Sequence, residues 1–577
     1  MKNKRISKLL AIALCLSMAS ATAVSSVIPA SAANGAGETF AQKMNSRFKT
    51  PEMEYRPEAR WWLAEGSHTD ETLIESIHEL YDSGFGAVEF VTLDESQYLD
   101  DARYAWASEE WVHDSHLIVE ECTKLGMGVS FTGGTNWASA NLTTITPDEE
   151  MASQELGYQT INLEAGERFS GSLPVPELPG SATKATFVRA TVARTGSVTE
   201  SGFTNLEVES MRDVTSLAVQ QDDGSWSIDY TAPDDGVYTL FAFWQYGTSE
   251  TYKPASTGVA YTINYLSKEG ANALIEYWDE QVLDDSLKEM IAENGDVQFY
   301  MDSLELSPHG KNTTGNLWCA DYLEEFEARR GYDLTPYLPV IILPGFAVHT
   351  ERNYIYGMQD NEALCEKVLN DVYQTNTELY QEECLDVLTE WLHSFGMTLR
   401  AENAYGQMFE MSQSVKSVDY VETEAWEMRS EIDSFRNQSG AAHLYGKTFS
   451  SETGALLGAN YTKDNSFWRQ VFYTQFASGI QRTVVHGYSA AYGPEQNCKW
   501  PGYEGMQAIF SDRFNRRQPN SIDYAELNAH LARTQKVLRQ GVPQMDLGIL
   551  RNDYRSEERR VGKECTSWCR SRWSPYH

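Results

Sequence analysis

Gly86-Ala87-Val88-Glu89-Phe90-Val91 is a short apolar run, and Gly128-Val129-Ser130-Phe131-Thr132, leading into Gly133-Gly134, is a second. Between them, residues 109–125 repeat their apolar positions at helical spacing, and Gly126 punctuates the end. Strand, amphipathic helix and strand at this spacing form a parallel βαβ unit. Working outward, Ala59-Arg60-Trp61-Trp62-Leu63 supplies the preceding strand. Residues 71–83 supply the helix after it, with Ser67, Thr69 or Asp70 placed to cap it and Gly84 to stop it.

The alternation then breaks. Residues 151–262 lose helical periodicity and show short alternating runs such as Thr186-Phe187-Val188-Arg189-Ala190-Thr191-Val192, separated by Gly, Pro, Ser and Asp clusters. This predicts an inserted all-β domain, sandwich-like, whose exposed face suits either sugar binding or a purely structural role. A helix over residues 270–294 restarts the α/β pattern, and strands are predicted over 298–305, 398–402, 419–424, 447–452 and 482–487, with helices over 320–330, 361–395 and 467–481. Eight strands with intervening helices predict an α/β chain folded as a (β/α)8 TIM-type barrel, its first part in residues 34–150 and the rest in 263–542. An open doubly wound sheet is the alternative, lowered by the lack of a Gly-rich dinucleotide loop after the first strand.

Both ends of the sequence are set apart. Lys2, Lys4, Arg5 and Lys8 precede an apolar run over residues 9–28 that ends in Ala30-Ser31-Ala32, so residues 1–33 read as a cleavable secretory signal peptide. Cys15 lacks the small preceding residue that a lipid-attachment site wants. The protein is therefore expected to be secreted, without membrane insertion. Residues 543–554 read as the start of a truncated following domain. After Tyr554 the chain turns basic, with Cys565 and Cys569, and residues 555–577 read as a foreign tail.

A net charge of −37 repels nucleic acid and anionic membranes, which makes both poor partners. Cys122, Cys319, Cys365, Cys384 and Cys498 are scattered, with neither metal-ligand spacing nor the density of a disulfide scaffold, so buried thiols are expected. An aromatic content of 12% fits sugar stacking and equally a large packed core, so it decides nothing.

Barrel active sites gather at the C-terminal ends of the strands. That rule selects Asp302 and Glu305 on the fourth strand, Glu402 on the fifth, Glu422 and Glu424 on the sixth and Glu452 on the seventh, with Glu89 near the end of the second. Burying a carboxylate without partners is costly, so acids closing four successive strands point to a functional cluster. Paired carboxylates can serve as general acid and base, or nucleophile, across a glycosidic bond. Additional ones suit a hard cation such as calcium or magnesium. Trp62, Asn136, Trp137, Asp302, Asn403 and His486 fall at the same end and are candidates for binding an oligo- or polysaccharide. Trp61 and Trp62 alternate faces, so at most one points inward.

Several short motifs, in order, resemble glycoside hydrolase family 106. They are Arg56-Pro57-Glu58-Ala59-Arg60-Trp61-Trp62, Gly84-Phe85-Gly86-Ala87-Val88-Glu89, Gly133-Gly134-Thr135-Asn136-Trp137, Asp302-Ser303-Leu304-Glu305, Arg330-Gly331-Tyr332-Asp333-Leu334, Glu422-Thr423-Glu424-Ala425-Trp426, Ser451-Glu452 and His486-Gly487. The resemblance implies an inverting, calcium-dependent α-L-rhamnosidase acting on plant pectin and related glycans. It implies Glu305 as general acid, Glu452 as general base, and Glu424 with Glu402 or Glu422 as Ca2+ ligands. Leu63 stands where the family has a third aromatic, and Ala64-Glu65-Gly66 where it has a Pro-Gly-Gly-like turn, departures that bear on the sugar more than on the reaction. A barrel hydrolase of other sugar specificity or retaining mechanism, and a non-catalytic glycan-binding protein, are the alternatives.

Overall fold

The computed structural model describes residues 39–64, 69–93, 106–134, 141–200, 202–251, 258–304, 306, 312–343, 353–359, 361–403, 408–425, 431–456, 458, 461–489, 512–544 and 554. The described residues 39–49 belong to a separate unit, in which the helix Phe40–Arg47 is opened by a capping box between Thr39 and Gln42. Everything else belongs to the second unit.

Eight parallel strands close a barrel in that second unit. They are β1 (Glu58–Ala64), β2 (Ala87–Leu93), β3 (Gly128–Thr132), β4 (Val297–Met301), β5 (Thr398–Glu402), β6 (Tyr420–Glu424), β7 (Thr448–Thr453) and β8 (Arg482–Ser489). Each pairs with the next, and β8 returns to β1. The open-sheet alternative is thereby excluded.

The helices form as their caps dictate. Ser108 accepts from Trp111 N ahead of the helix Glu109–Leu125, and Gly126 ends it in the left-handed region, φ 69°. Helix 270–294 is in fact two, Lys268–Gln281 and Asp285–Asn294, because Asp284 turns back to cap Leu287 N at 2.7 Å. Helix 361–395 is continuous but passes through one π-helical turn, Tyr380–Leu385. The helices Ile432–Tyr445 and Tyr524–Leu538 complete the outer ring and were not expected. Strand β4 stops short of its expected end, since Asp302 accepts from the Ser303 N–H at 2.7 Å and bends the chain away.

Strand alternation sorts two very different faces. The outward residues, among them Trp61, Phe90, Phe131, Phe299, Leu399 and Phe449, join the main apolar core under the helices. The inward positions are largely charged or polar and yet fully enclosed: Glu58, Arg60, Glu89, Ser130, Gln298, Arg400, Glu422 and Ser450 are each no more than 2% exposed. A TIM barrel usually fills that space with branched aliphatics; this one fills it with ion pairs.

The insertion is two sheets around their own core, which includes Leu163, Val192, Ile228, Leu240 and Trp244. One has three strands, Ala218–Gln220, Trp226–Thr231 and Arg168–Ser172. The other has seven and does not end at residue 262. Thr313–Trp318 pairs with Gln154–Leu163 on one edge and Tyr356–Gln359 with Thr204–Glu207 on the other, and both newcomers follow β4 in sequence. Such short strands leave no periodic signal, which is why they escape sequence reading.

Cys122, Cys319 and Cys384 are buried free thiols and Cys365 is half-buried. No helix among the described residues is long and apolar enough to cross a membrane.

Candidate active site

The barrel interior is a ladder of arginines and carboxylates. At the bottom, Arg482 pairs with Glu58 and donates to Gln298 Oε1 at 2.9 Å, while Ser130 Oγ donates to Glu58 at 2.6 Å. Above it Arg400 pairs with Glu89, with Glu422 at 2.7 Å and with Glu58 at 3.4 Å. Arg60 comes next, with Nε 2.5 Å from Glu89 and Nη2 3.8 Å from Glu422. Its Nη1 pairs with Glu452 and stands 3.4 Å from Asp302. The Tyr300 ring lies against both guanidinium groups, 4.3 Å from that of Arg400 and 4.7 Å from that of Arg60.

Three arginines (Arg60, Arg400, Arg482) therefore face three deep glutamates (Glu58, Glu89, Glu422). Burial pushes Glu58 up, but Arg400, Arg482 and the Ser130 hydrogen bond outweigh it and leave the group below the usual carboxylate range. Above them Arg60 is shared, pairing with Glu452 and standing 3.4 Å from Asp302 while it also holds Glu89. Asp302, Glu402 and Glu452 bring oxygens within 4.8 Å of one another, and all three are buried. Burial, then the charges of Glu452, Asp302 and Glu424, raises Glu402 well above its ordinary value. Burial also raises Glu452, to about 8, with Arg60 pulling the other way. A cluster like this holds protons or a cation, because like carboxylates this close cannot all ionise alone.

The expected residues distribute as follows. Asp302, Glu402 and Glu452 meet at the C-terminal mouth. Glu424 pairs in register with Glu452 and is buried beside it. Glu422, one inward step deeper, is taken by Arg400 and by Ser450 Oγ at 2.7 Å, which leaves it poorly placed as a cation ligand. His486 Nε2 stands 3.8 Å from Glu452, and Trp62 meets the imidazole edge-on at 4.9 Å. Burial, then the charges of Arg60 and Arg513, holds His486 well below its ordinary range and so neutral. Trp62 thus faces inward and Trp61 outward. Asn403 is 1% exposed, and neither its Nδ2 nor its Oδ1 has a hydrogen-bond partner among the described residues. Glu305, Asn136 and Trp137 lie outside the described residues.

Sequence reading missed Glu58, Arg60, Tyr300, Arg400, Arg482 and Arg513. The guanidinium of Arg513 lies over Trp62 at 4.9 Å. The signal that finds most of them is strand parity: Arg60 shares the parity of Trp62, and Arg400 that of Glu402. Gly454, just past β7, sits at φ 124°, and a side chain there would collide with the His486 carbonyl oxygen. That close approach fixes the ends of β7 and β8 together.

Comparisons with known proteins bear on the fold and on the family. A putative beta-glucuronidase of Formosa agariphila is 21% identical over 532 residues, covering 86% of this chain and 42% of that protein. The solved rhamnosidase structure from Novosphingobium sp. PP1Y superposes with a TM-score of 0.64 at 15% identity, covering 86% of this chain and 61% of that one. It supports the barrel and its added domain as a fold. The chain spans less than two-thirds of the length of each. The family model described as alpha-L-rhamnosidase, glycoside hydrolase family 106, matches residues 182–557, well over half of the sequence. On that match, the chain belongs to glycoside hydrolase family 106.

Proposed function

We propose that the chain is a secreted glycoside hydrolase that removes α-L-rhamnose from pectin-type or related plant glycans with inversion of configuration. The observation that carries this reading is the meeting of Asp302, Glu402 and Glu452 at the barrel mouth, above a charge-balanced interior. In this reading Glu305 donates its proton to the glycosidic oxygen as the anomeric C–O bond breaks. Glu452 takes a proton from the water whose oxygen bonds to the anomeric carbon. Arg60 beside Glu452 opposes the burial that raises this carboxyl, and so lowers the pH at which it ionises to act as base. Neutral His486 suits hydrogen bonding to a sugar hydroxyl, and Trp62 stiffens its ring from the side.

The residues present fit a calcium ion. The donors are all oxygen, Glu402 Oε1 is buried with no hydrogen-bond partner among the described residues, and Asp302, Glu402 and Glu452 bring oxygens within 4.8 Å of one another. Glu402 and Asp302, with Glu424 adjacent, would hold it. When bound, calcium supplies a positive centre that anchors neighbouring sugar hydroxyls.

The test is hydrolysis of p-nitrophenyl-α-L-rhamnoside with calcium and then with a chelator, following the anomer released by NMR. Glu305→Gln and Glu452→Gln should each lower kcat by about a thousandfold or more while the circular dichroism spectrum stays unchanged. Near-normal turnover in either variant would remove that residue from its role. The relative named as a putative beta-glucuronidase makes p-nitrophenyl-β-D-glucuronide the comparison substrate. Cleavage of that compound alone would replace the rhamnoside reading.

A further inference from the structure

We propose that Arg60 is a positioning residue that fixes Glu452 and Asp302 relative to one another, with Glu89 and Glu422 as its seat. The inference rests on the two-carboxylate reading above. A guanidinium is a rigid planar fork, so fixing one of its nitrogens together with its plane fixes the others. Here Nε is held by Glu89 at 2.5 Å, the Tyr300 ring faces the guanidinium plane, and Nη2 makes only a charge contact with Glu422 at 3.8 Å. Nη1 is what remains, and it reaches both Glu452 and Asp302.

Those two carboxylates come from β7 and from the turn after β4, and β4 does not pair with β7. No backbone ladder joins them directly; Arg60 does. The Tyr300 ring supports the same plate, 4.7 Å from the guanidinium carbon, and its hydroxyl donates to Asp302 at 3.2 Å. Glu89 and Glu422 are themselves held by Arg400. Arg60 is only 2% exposed, so it cannot swing aside into solvent. A lysine would keep the charge but offer one nitrogen, and could not grip seat and mouth together.

A merely charge-neutralising arginine would lower stability when replaced and leave the kinetics of the folded fraction alone. A positioning arginine lowers kcat with little change in KM. In the full chain, Arg60→Lys is expected to lower kcat on p-nitrophenyl-α-L-rhamnoside by about a hundredfold with KM within about threefold. Glu89→Gln should lower kcat about tenfold, and the double variant should be no worse than Arg60→Lys, because both act through one path. A kcat within about threefold of the parent for Arg60→Lys, beside an inactive Glu452→Gln, overturns the positioning role and leaves the two-carboxylate reading standing. Full activity of Glu452→Gln overturns both. If Arg60→Lys does not fold, or the parent is silent on this substrate, a crystal structure of Glu89→Gln decides. Glu452 displaced together with Arg60 supports the proposal, and an unmoved pair overturns it.

Discussion

Replacing Arg400 with methionine tests whether the barrel interior is held by its ion pairs. Arg400 is wholly buried and contacts Glu58, Glu89 and Glu422. Methionine fills much of the volume but leaves three enclosed carboxylates facing an apolar group. Breaking one buried pair in this way costs about 3–5 kcal/mol. With an unfolding entropy of about 2 cal/mol/K per residue over roughly 500 residues, each kcal/mol moves the melting temperature by about 1 °C. The expected fall at pH 7 is therefore about 3–5 °C at least, read by circular dichroism melts. The pH dependence has a definite sign. Arg400 helps to hold Glu58 below the ordinary 4.5, so its contribution is complete above that value and is lost as pH falls through the lower folded-state value. The gap between parent and variant should narrow in acid. Adding Glu422→Gln to Arg400→Met should restore part of the loss, since one orphaned charge is removed. A melting temperature within about 1 °C of the parent at pH 7 would refute the reasoning and make the ladder dispensable.

Other consequences can be measured directly. Asn403→Ala removes an amide that has no hydrogen-bond partner among the described residues, so stability should hold or rise while kcat/KM falls about tenfold; a loss of stability alone would assign the residue to packing. In chelator, the limb of the kcat/KM profile that reports the ionising base should lie near pH 8, where burial places Glu452. Calcium should move that limb to lower pH, since a cation favours the ionised carboxylate. Gly454→Ala should cost about 2–3 kcal/mol and impair turnover together, because the positive φ and the His486 carbonyl both oppose a side chain. On the outer face, the hydrogen bond to Asp70 raises His113 above its ordinary 6.5. That contact stabilises below the ordinary value and fades as pH rises through the raised one. NMR titration should show the elevation in the parent and its loss in Asp70→Asn.

The barrel was legible because its outward residues are apolar in runs with glycine or a capped helix between them, as at Ala87–Leu93 and Gly128–Thr132. The acids at the mouth were legible because a carboxylate closing a strand is rarely idle. The arginines beneath them were not, because a single arginine in a strand reads as an exposed one. Arg482 and Glu58 lie 424 residues apart, and only the closed register brings them together. Likewise Glu422 looked equivalent to Glu424 until alternation placed it a step deeper, against Arg400. The strands Thr313–Trp318 and Tyr356–Gln359 form because a neighbouring sheet offers them an edge, a fact that no local pattern contains.

Those two strands also decide what can be cut from this protein. An inserted domain that began and ended within residues 151–262 would be a cassette, removable at two points and transferable to another scaffold. Here each outer edge of the seven-stranded sheet is sealed by chain that has already passed through β4. A piece cut at those points would lose the outer partners of Gln154–Leu163 and Thr204–Glu207 and present open edges, which recruit other chains. The insertion and the barrel are therefore best expressed and engineered as one piece.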